Sequence, residues 1–339
     1  MSIRIPYGRQ TIDDADVQAV AETLRSDWLT QGPKVEEFER AHADYCGARH
    51  AVLFANGTAA LQGAYKAAGV GSGDEFVTSP ITFAATATAG LWQGAKPVFA
   101  DIDPATGNLD PDSCERALTD KTRAIVPVDF AGRPADLDAF RSIADAKGLC
   151  LIEDACHSLG ASRGGRKIGS IADMTIFSFH PVKSITTGEG GAVLTNDAIL
   201  RGRLVLFRQH GIAKGSDWEY AVEEMGLNYR LTDLQCALGL SQIKKLDYFI
   251  ACRREIAKRY DAAFASWDEL APQPCRVEDS AWHLYVLRLK GACASRRREL
   301  FQALRASGIG VQVHYIPVYW HPLYEKLGYR KGLCPNAEA

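Results

Sequence analysis

The chain reads as an α/β protein built on a mainly parallel sheet covered by helices. Three observations carry that reading. Short apolar runs rich in β-branched and aromatic residues alternate with helical patterns through the first part of the chain, as strand–helix–strand units require. A length of 339 residues allows a large core with a smaller unit appended to it. The stretch 173–196, DMTIFSFHPVKSITTGEGGAVLTN, places a lysine between two such runs, where an apolar strand breaks at Pro181 and a Gly-rich TGEGG leads into the next strand.

Taken in order, amphipathic helical patterns at 12–25 and 35–45 flank the turn-like TQGP at 30–33. Strands are predicted at 51–54, 75–79, 96–100, 124–130, 150–153, 175–179 and 192–195, which makes seven, with helices between most of the early pairs. After Leu231 one long helix is predicted to about residue 264, with Leu234, Leu238, Leu246 and Ile250 at helical spacing. Strands around 283–289, a helix at 295–307 and a last strand at 310–315 then suggest a small α/β unit. The expected division is a large domain with an N-terminal arm over 1–235, and a connecting helix with a small C-terminal domain over 236–339. No repeat or low-complexity segment interrupts this order.

A net charge of −2 offers no basic excess to displace counterions, which argues against nucleic acid or an anionic membrane as partner. No apolar run approaches a membrane span, and the N-terminus, with Arg4, Arg9, Asp13 and Asp14, lacks the apolar core of a signal peptide; a cytoplasmic enzyme is expected. The nine cysteines are scattered, without CxxC pairs or ligand spacing to histidines, so reduced thiols and no metal are expected.

Lys183 draws attention because an unpaired ammonium between buried strands is costly. It must be paired, reach solvent, or serve as an amine of lowered pKa, as in a Schiff base. Taken singly, a lysine past a strand end is more often a solvated loop residue. It has candidate partners, however. The run LCLI at 149–152 delivers Glu153 and Asp154 to a strand's C-terminal end, where open α/β sheets form ligand crevices and where a carboxylate could hold a pyridinium nitrogen protonated. FANGTAAL, at 54–61, joins a strand to an alanine-rich helix with Asn56 and Thr58 as caps, a natural phosphate site.

Together NGTAAL, EDACHS and FSFHPVKSITTGEGG resemble, in order and spacing, the fold-type I pyridoxal phosphate enzymes, and most closely the DegT/DnrJ/StrS family of sugar aminotransferases. The segments SDWLTQGPKVEEFE, GLNYRLTDLQCALGLSQIKKLD and VHYIPVYWHPLYEKLGY extend the likeness over essentially the whole chain. The resemblance implies pyridoxal 5′-phosphate, alternating with pyridoxamine phosphate, as cofactor. It makes Lys183 the Schiff-base lysine and proton carrier, and Asp154 the partner of the ring nitrogen. Gly57, Thr58 and Ser178 would contact the phosphate, Phe83 would stack on the ring, and His157 would lie near the ring or its O3′ oxygen. Asn228 would reach the phosphate of a neighbouring subunit, which implies a homodimer with shared sites. Tyr7, Ser26, Asp27, Trp28, Leu29, Asn56, Ser178, His314, Tyr315, Ile316 and Pro317 would line the sugar nucleotide site, with Arg230 a secondary candidate for an anion.

The implied reaction moves an amino group from L-glutamate to C4 of a nucleotide-linked 4-keto-6-deoxy sugar. FHPVKSITTGEGG with VHYIPVYWHPLYEKLGY look most like the pseudaminic acid branch, whose acceptor is a UDP-4-keto-6-deoxy-N-acetylhexosamine. A UDP-pentose or a GDP- or dTDP-hexose remains an alternative acceptor, and a non-catalytic sensor of the same fold an alternative class. A sugar 3-dehydratase, which carries histidine in place of this lysine, fits less well. Family members usually continue past the CPNAEA ending, so a truncated small domain is expected.

Overall fold

In the computed structural model, residues 4–276 and 279–339 are described. The seven strands are β1 (His50–Phe54), β2 (Glu75–Thr78), β3 (Lys96–Phe99), β4 (Thr122–Val126), β5 (Cys150–Asp154), β6 (Met174–Ser178) and β7 (Gly191–Thr195), arranged β1-β7-β6-β5-β4-β2-β3 in one sheet. Six strands share one direction; β7 runs antiparallel to both β1 and β6. Both faces are covered, which is why these strands are apolar throughout and do not alternate with polar residues. Leu53, Val77, Ile125, Leu151 and Phe177 enter one core with Phe38 of α2 (Pro33–Cys46), the helix that follows α1 (Asp14–Leu24). Val52, Phe54, Phe76, Val126, Ile152 and Ile176 enter the other, against α3 (Gly57–Ala67) and α4 (Ala84–Trp92). Short α5 (Pro111–Arg116), α6 (Leu137–Lys147) and α7 (Ala198–Arg208) complete the layers.

Four expected elements differ. The strand predicted at 124–130 ends at Val126, because Pro127 has no N–H to continue the ladder; Asp129 then turns the chain into a 3₁₀ segment at Phe130–Gly132. The single long helix is two, α8 (Asp233–Ile243) and α9 (Leu246–Phe264). No Pro or Gly marks that break. It occurs where Lys245 Nζ is drawn to Asp13 (2.8 Å) and to the buried Asp16 (2.7 Å), while Gln242 Nε2 also donates to Asp16 (2.8 Å). Residues 310–315 form no strand, since a strand needs a partner and, among the described residues, the arm meets this region through the Ile5–Ile309 bridge, the Arg4 and Ile5 N–H groups on the Gly308 carbonyl, and the bond from Gly310 N–H to the Ile5 carbonyl (2.7 Å). The region predicted as strand around 283–289 pairs only over Leu287–Leu289, with Leu270–Pro272, and α10 (Arg297–Ala306) follows a 3₁₀ turn. No disulfide joins the cysteines among the described residues. Among the described residues, no helix is long and apolar enough to cross a membrane, and no group of His, Cys, Asp and Glu is placed to hold a metal ion.

Candidate active site

The C-terminal ends of β1, β6 and β5 lie at the same edge of the sheet, with the antiparallel β7 between β1 and β6, and each delivers one part of the site. β1 ends at Phe54 and hands the chain to α3 through Asn56, whose Oδ1 accepts the Ala59 N–H at 2.8 Å. Gly191 of β7 pairs with Phe54 on one side and Ser178 on the other. A Cβ on Gly191 would stand 2.7 Å from the Asn56 carbonyl, so the absence of a side chain there lets the start of α3 settle on the sheet. A Cβ on Gly57 would in turn meet Ser178 Cβ at 3.0 Å and Oγ at 3.3 Å. Ser178 therefore sits at the mouth of α3. The N–H groups of Gly57 and Thr58 have no acceptor among the described residues, which leaves a positive helix end free for an anion.

Asp154 is the last residue of β5 and is buried. Its Oδ2 accepts from Thr86 Oγ1 at 2.6 Å, and its Oδ1 accepts from the Cys156 N–H at 3.2 Å. Thr86 is itself 2.7 Å from Thr82 Oγ1 and belongs to α4, held there by the Tyr65 hydroxyl on its carbonyl (2.8 Å). Sequence reading missed Thr86. The signal was present in SPITFAATATA, where Thr82 and Thr86 stand four apart on one helical face.

Lys183 follows β6 in a turn closed by its N–H on the His180 carbonyl (2.8 Å). Among the described residues its Nζ has no hydrogen-bond or ion-pair partner. Burial pulls its pKa below the ordinary lysine value, and the neighbouring Cys156 and Asp154 act in the opposite direction. His157 is buried, with Tyr315 Oη 3.4 Å from its Nε2 and the His283 ring 4.4 Å away. Desolvation and the charge of Lys183 hold both imidazoles neutral, well below the usual histidine range. His314 touches Tyr7, ring on ring at 5.4 Å and Nε2 to Oη at 2.9 Å, and burial raises the Tyr7 phenol to about 12. Phe83 precedes α4 with its ring 63% exposed, an apolar face open to a ligand.

Other predicted residues lie apart. Ser26, Asp27, Trp28 and Leu29 form an exposed turn fixed to the start of α8, where the Asp233 N–H donates to the Leu29 carbonyl at 3.0 Å. Ile316 is exposed, and Pro317 leads into the bond from the Val318 N–H to the Pro80 carbonyl (2.9 Å), which seats this segment beside the 79–82 loop. Asn228 is exposed and bridges Gln209; Arg230 Nε is buried without a partner.

A model of the DegT/DnrJ/EryC1/StrS aminotransferase family matches residues 10–339. The chain belongs to that family. Members of this family use pyridoxal phosphate, and the free amine, the buried carboxylate and the open helix end fit such a group: one part each for its carbonyl, ring nitrogen and phosphate. The Bacillus subtilis spore coat polysaccharide biosynthesis protein SpsC is 44% identical, with 98% of this chain and 89% of that protein covered. The UDP-4-amino-4,6-dideoxy-N-acetyl-beta-L-altrosamine transaminase of Campylobacter jejuni is 43% identical, with 95% and 86% covered. Among solved structures, Helicobacter pylori PseC, an aminotransferase involved in the biosynthesis of pseudoaminic acid, superposes with a TM-score of 0.94 at 36% identity, covering 98% of this chain and 91% of that one. The chain is thus an aminotransferase of the fold class expected from its sequence.

Proposed function

We propose that this aminotransferase moves the amino group of L-glutamate to C4 of a UDP-linked 4-keto-6-deoxy-N-acetylhexosamine, in a pathway to pseudaminic acid or a related surface glycan. The observation that carries the chemistry is the partnerless amine of Lys183 beside the buried Asp154 and the open start of α3. The choice of sugar is supported by the Campylobacter and Helicobacter relatives.

Pyridoxal phosphate, when bound, supplies an electron sink that stabilises a carbanion and carries the amino group between the two substrates. The Gly57 and Thr58 N–H groups with the Ser178 hydroxyl would hold its phosphate. Asp154, fixed by Thr86, would offer its carboxylate to the ring nitrogen, and Phe83 would pack on the ring. Because burial lowers the pKa of Lys183, more of its amine is unprotonated at neutral pH and able to act as nucleophile and base. Lys183 Nζ takes a proton from the donor's Cα in the first half-reaction and returns one to the sugar's C4 in the second. His157, held neutral, accepts or donates a hydrogen bond without adding charge. Tyr7, His314 and Tyr315 would form the sugar side; Asn56, Ile316, Pro317 and the 26–29 turn are assigned to it by the family resemblance.

A homodimer with shared sites is part of this proposal. Asn228 faces outward next to the hairpin Ile212–Lys214/Tyr220–Val222, where Trp218 (85% exposed) and Met225 (88% exposed) offer an apolar surface to a second copy. The division of the chain at 235/236 is also retained as a proposal, although it falls inside α8 and the helix break comes only at Lys244–Lys245. Another nucleotide 4-keto sugar is the second acceptor to test, because the name of SpsC specifies no sugar.

The test is a two-step absorbance titration of the cofactor-loaded protein. L-Glutamate should bleach the cofactor band, and the UDP-4-keto-6-deoxy amino sugar should restore it. Bleaching that returns only with another 4-keto sugar would replace the acceptor; a band unmoved by any amino donor would end the reading.

A further inference from the structure

Arg253 is a charge that amino transfer, as described so far, does not use. It lies half-buried on α9, and its Nη1 donates to the carbonyl oxygens of Trp282 (3.1 Å) and His283 (3.4 Å). Among the described residues no carboxylate pairs with it, whereas buried Arg208 pairs with Glu39 at 2.6 Å. A guanidinium does not shed its charge at neutral pH, so desolvating it without a counter-anion is unfavourable, and carbonyl dipoles compensate only in part. A bound anion would complete the site.

The surroundings agree. His283, whose carbonyl Arg253 holds, has its ring 4.4 Å from that of His157 and tilted against it, and among the described residues the buried Nδ1 atoms of both rings have no hydrogen-bond partner. His157 follows Asp154 by three residues and meets the Tyr315 hydroxyl at 3.4 Å, so the His283 ring beside it reaches the strand-end site that holds Asp154. The charge of Arg253 acts on His283 and on Tyr7, the residue stacked on His314. Arg253 therefore borders the same space from the α9 side.

We propose that Arg253, together with the His283 imidazole, forms the subsite for the α-carboxylate of the amino donor. This rests on the amino-transfer reading. A carboxylate is preferred to a diphosphate on simple connectivity. In an amino acid the carboxylate hangs on the reacting carbon itself, so its site must adjoin Lys183. In a sugar nucleotide the diphosphate is carried on C1, across the ring from C4, and its site must lie farther off. A group reached through His283, whose ring lies 4.4 Å from His157 and so beside Asp154, meets the first requirement.

The test uses the cofactor-loaded enzyme with Arg253→Gln and Arg253→Lys. Calorimetric binding of glutarate, which carries the donor's carboxylates without its amine, should weaken about 10- to 100-fold in R253Q and less in R253K, as loss of a charged hydrogen bond implies. In the donor half-reaction, wild type should prefer L-glutamate to its α-amide and R253Q should lose that preference. The reverse half-reaction with the UDP-4-amino sugar should stay within about threefold of wild type, a readout that mere support of the 282–283 turn would not spare. Glutarate binding that is absent in wild type or unchanged in R253Q would overturn the proposal, as would equal loss in both half-reactions; loss confined to the sugar side would assign the arginine to the diphosphate. R253K, which keeps a donor for the carbonyl groups, carries the test if R253Q fails to fold. Failure of the amino-transfer reading would look different: wild type would bind glutarate, yet L-glutamate would leave the cofactor band unchanged.

Discussion

The seat of α3 on the sheet is the feature most open to a controlled perturbation. Gly191→Ala adds one methyl group where an ideal Cβ lies 2.7 Å from the Asn56 carbonyl carbon and oxygen and 2.8 Å from the Gly57 nitrogen. These are backbone atoms, so no side-chain rotation relieves the contact. Opening 2.7 Å to an ordinary 3.4 Å requires a displacement of roughly 0.7 Å between β7 and the start of α3. Overpacking of this kind costs about 1–3 kcal/mol. It falls on the N–H groups assigned to the phosphate, so affinity for pyridoxal phosphate should drop by about 5- to 150-fold, at about 1.4 kcal/mol per tenfold. The melting temperature of the apoprotein should fall by about 2–4 °C per kcal/mol. The control is the same substitution at Gly202, an exposed mid-helix position in α7 where an added Cβ meets nothing within 4 Å. There alanine should stabilise by about 0.5–1 kcal/mol and leave cofactor affinity unchanged. The assay is equilibrium cofactor titration together with calorimetric melting of all three proteins. A G191A protein that binds and melts like wild type, or a G202A protein that loses cofactor equally, would refute the reasoning.

Two further outcomes are expected. His42 is fully buried among Phe38, Phe177 and Phe179, neither ring nitrogen has a partner, and burial pushes its pKa down to about 3. Between that value and the unfolded value near 6.5, the unfolded chain binds the extra proton, so stability is lost as pH falls, by about 2 kcal/mol from pH 7.5 to pH 5. Denaturant melts of wild type and His42→Leu at both pH values should show the difference shrinking in the variant; an equal pH response would contradict it. Asn228→Ala should weaken cofactor retention in a dimer verified by sedimentation without shifting its melting temperature by more than a degree or so, and unchanged retention would count against shared sites.

The seven strands were legible because a sheet covered on both faces demands continuous apolar runs, and each run is bounded by Gly, Pro or polar residues. Asp154, Lys183 and the start of α3 were legible for the related reason that strand ends deliver them, so their order along the chain implies their meeting. What escaped depends on contacts that local pattern does not encode. The break between α8 and α9 is set by Asp13 and Asp16, more than two hundred residues earlier in the chain, drawing on Lys245 and Gln242. Residues 310–315 carry strand-forming side chains, but their neighbours are the arm and the 79–82 loop, and neither is a strand. Arg253 sits in a charged helix that reads as solvent-facing. Its burial arises because Trp282 and His283 fold over it, and their turn is anchored through bonds to Gly132 from Ala281 N–H and Ser280 Oγ, both at 3.0 Å.

The measurement that tests the account most directly is a map of where the cofactor is joined to the chain. Borohydride reduction of the protein loaded with pyridoxal phosphate, followed by digestion and mass spectrometry, should place the added mass on the peptide containing Lys183, and Lys183→Ala should carry none. An adduct on a different lysine in wild type, or one retained elsewhere at full yield in the variant, would contradict the assignment of Lys183 as the reacting amine.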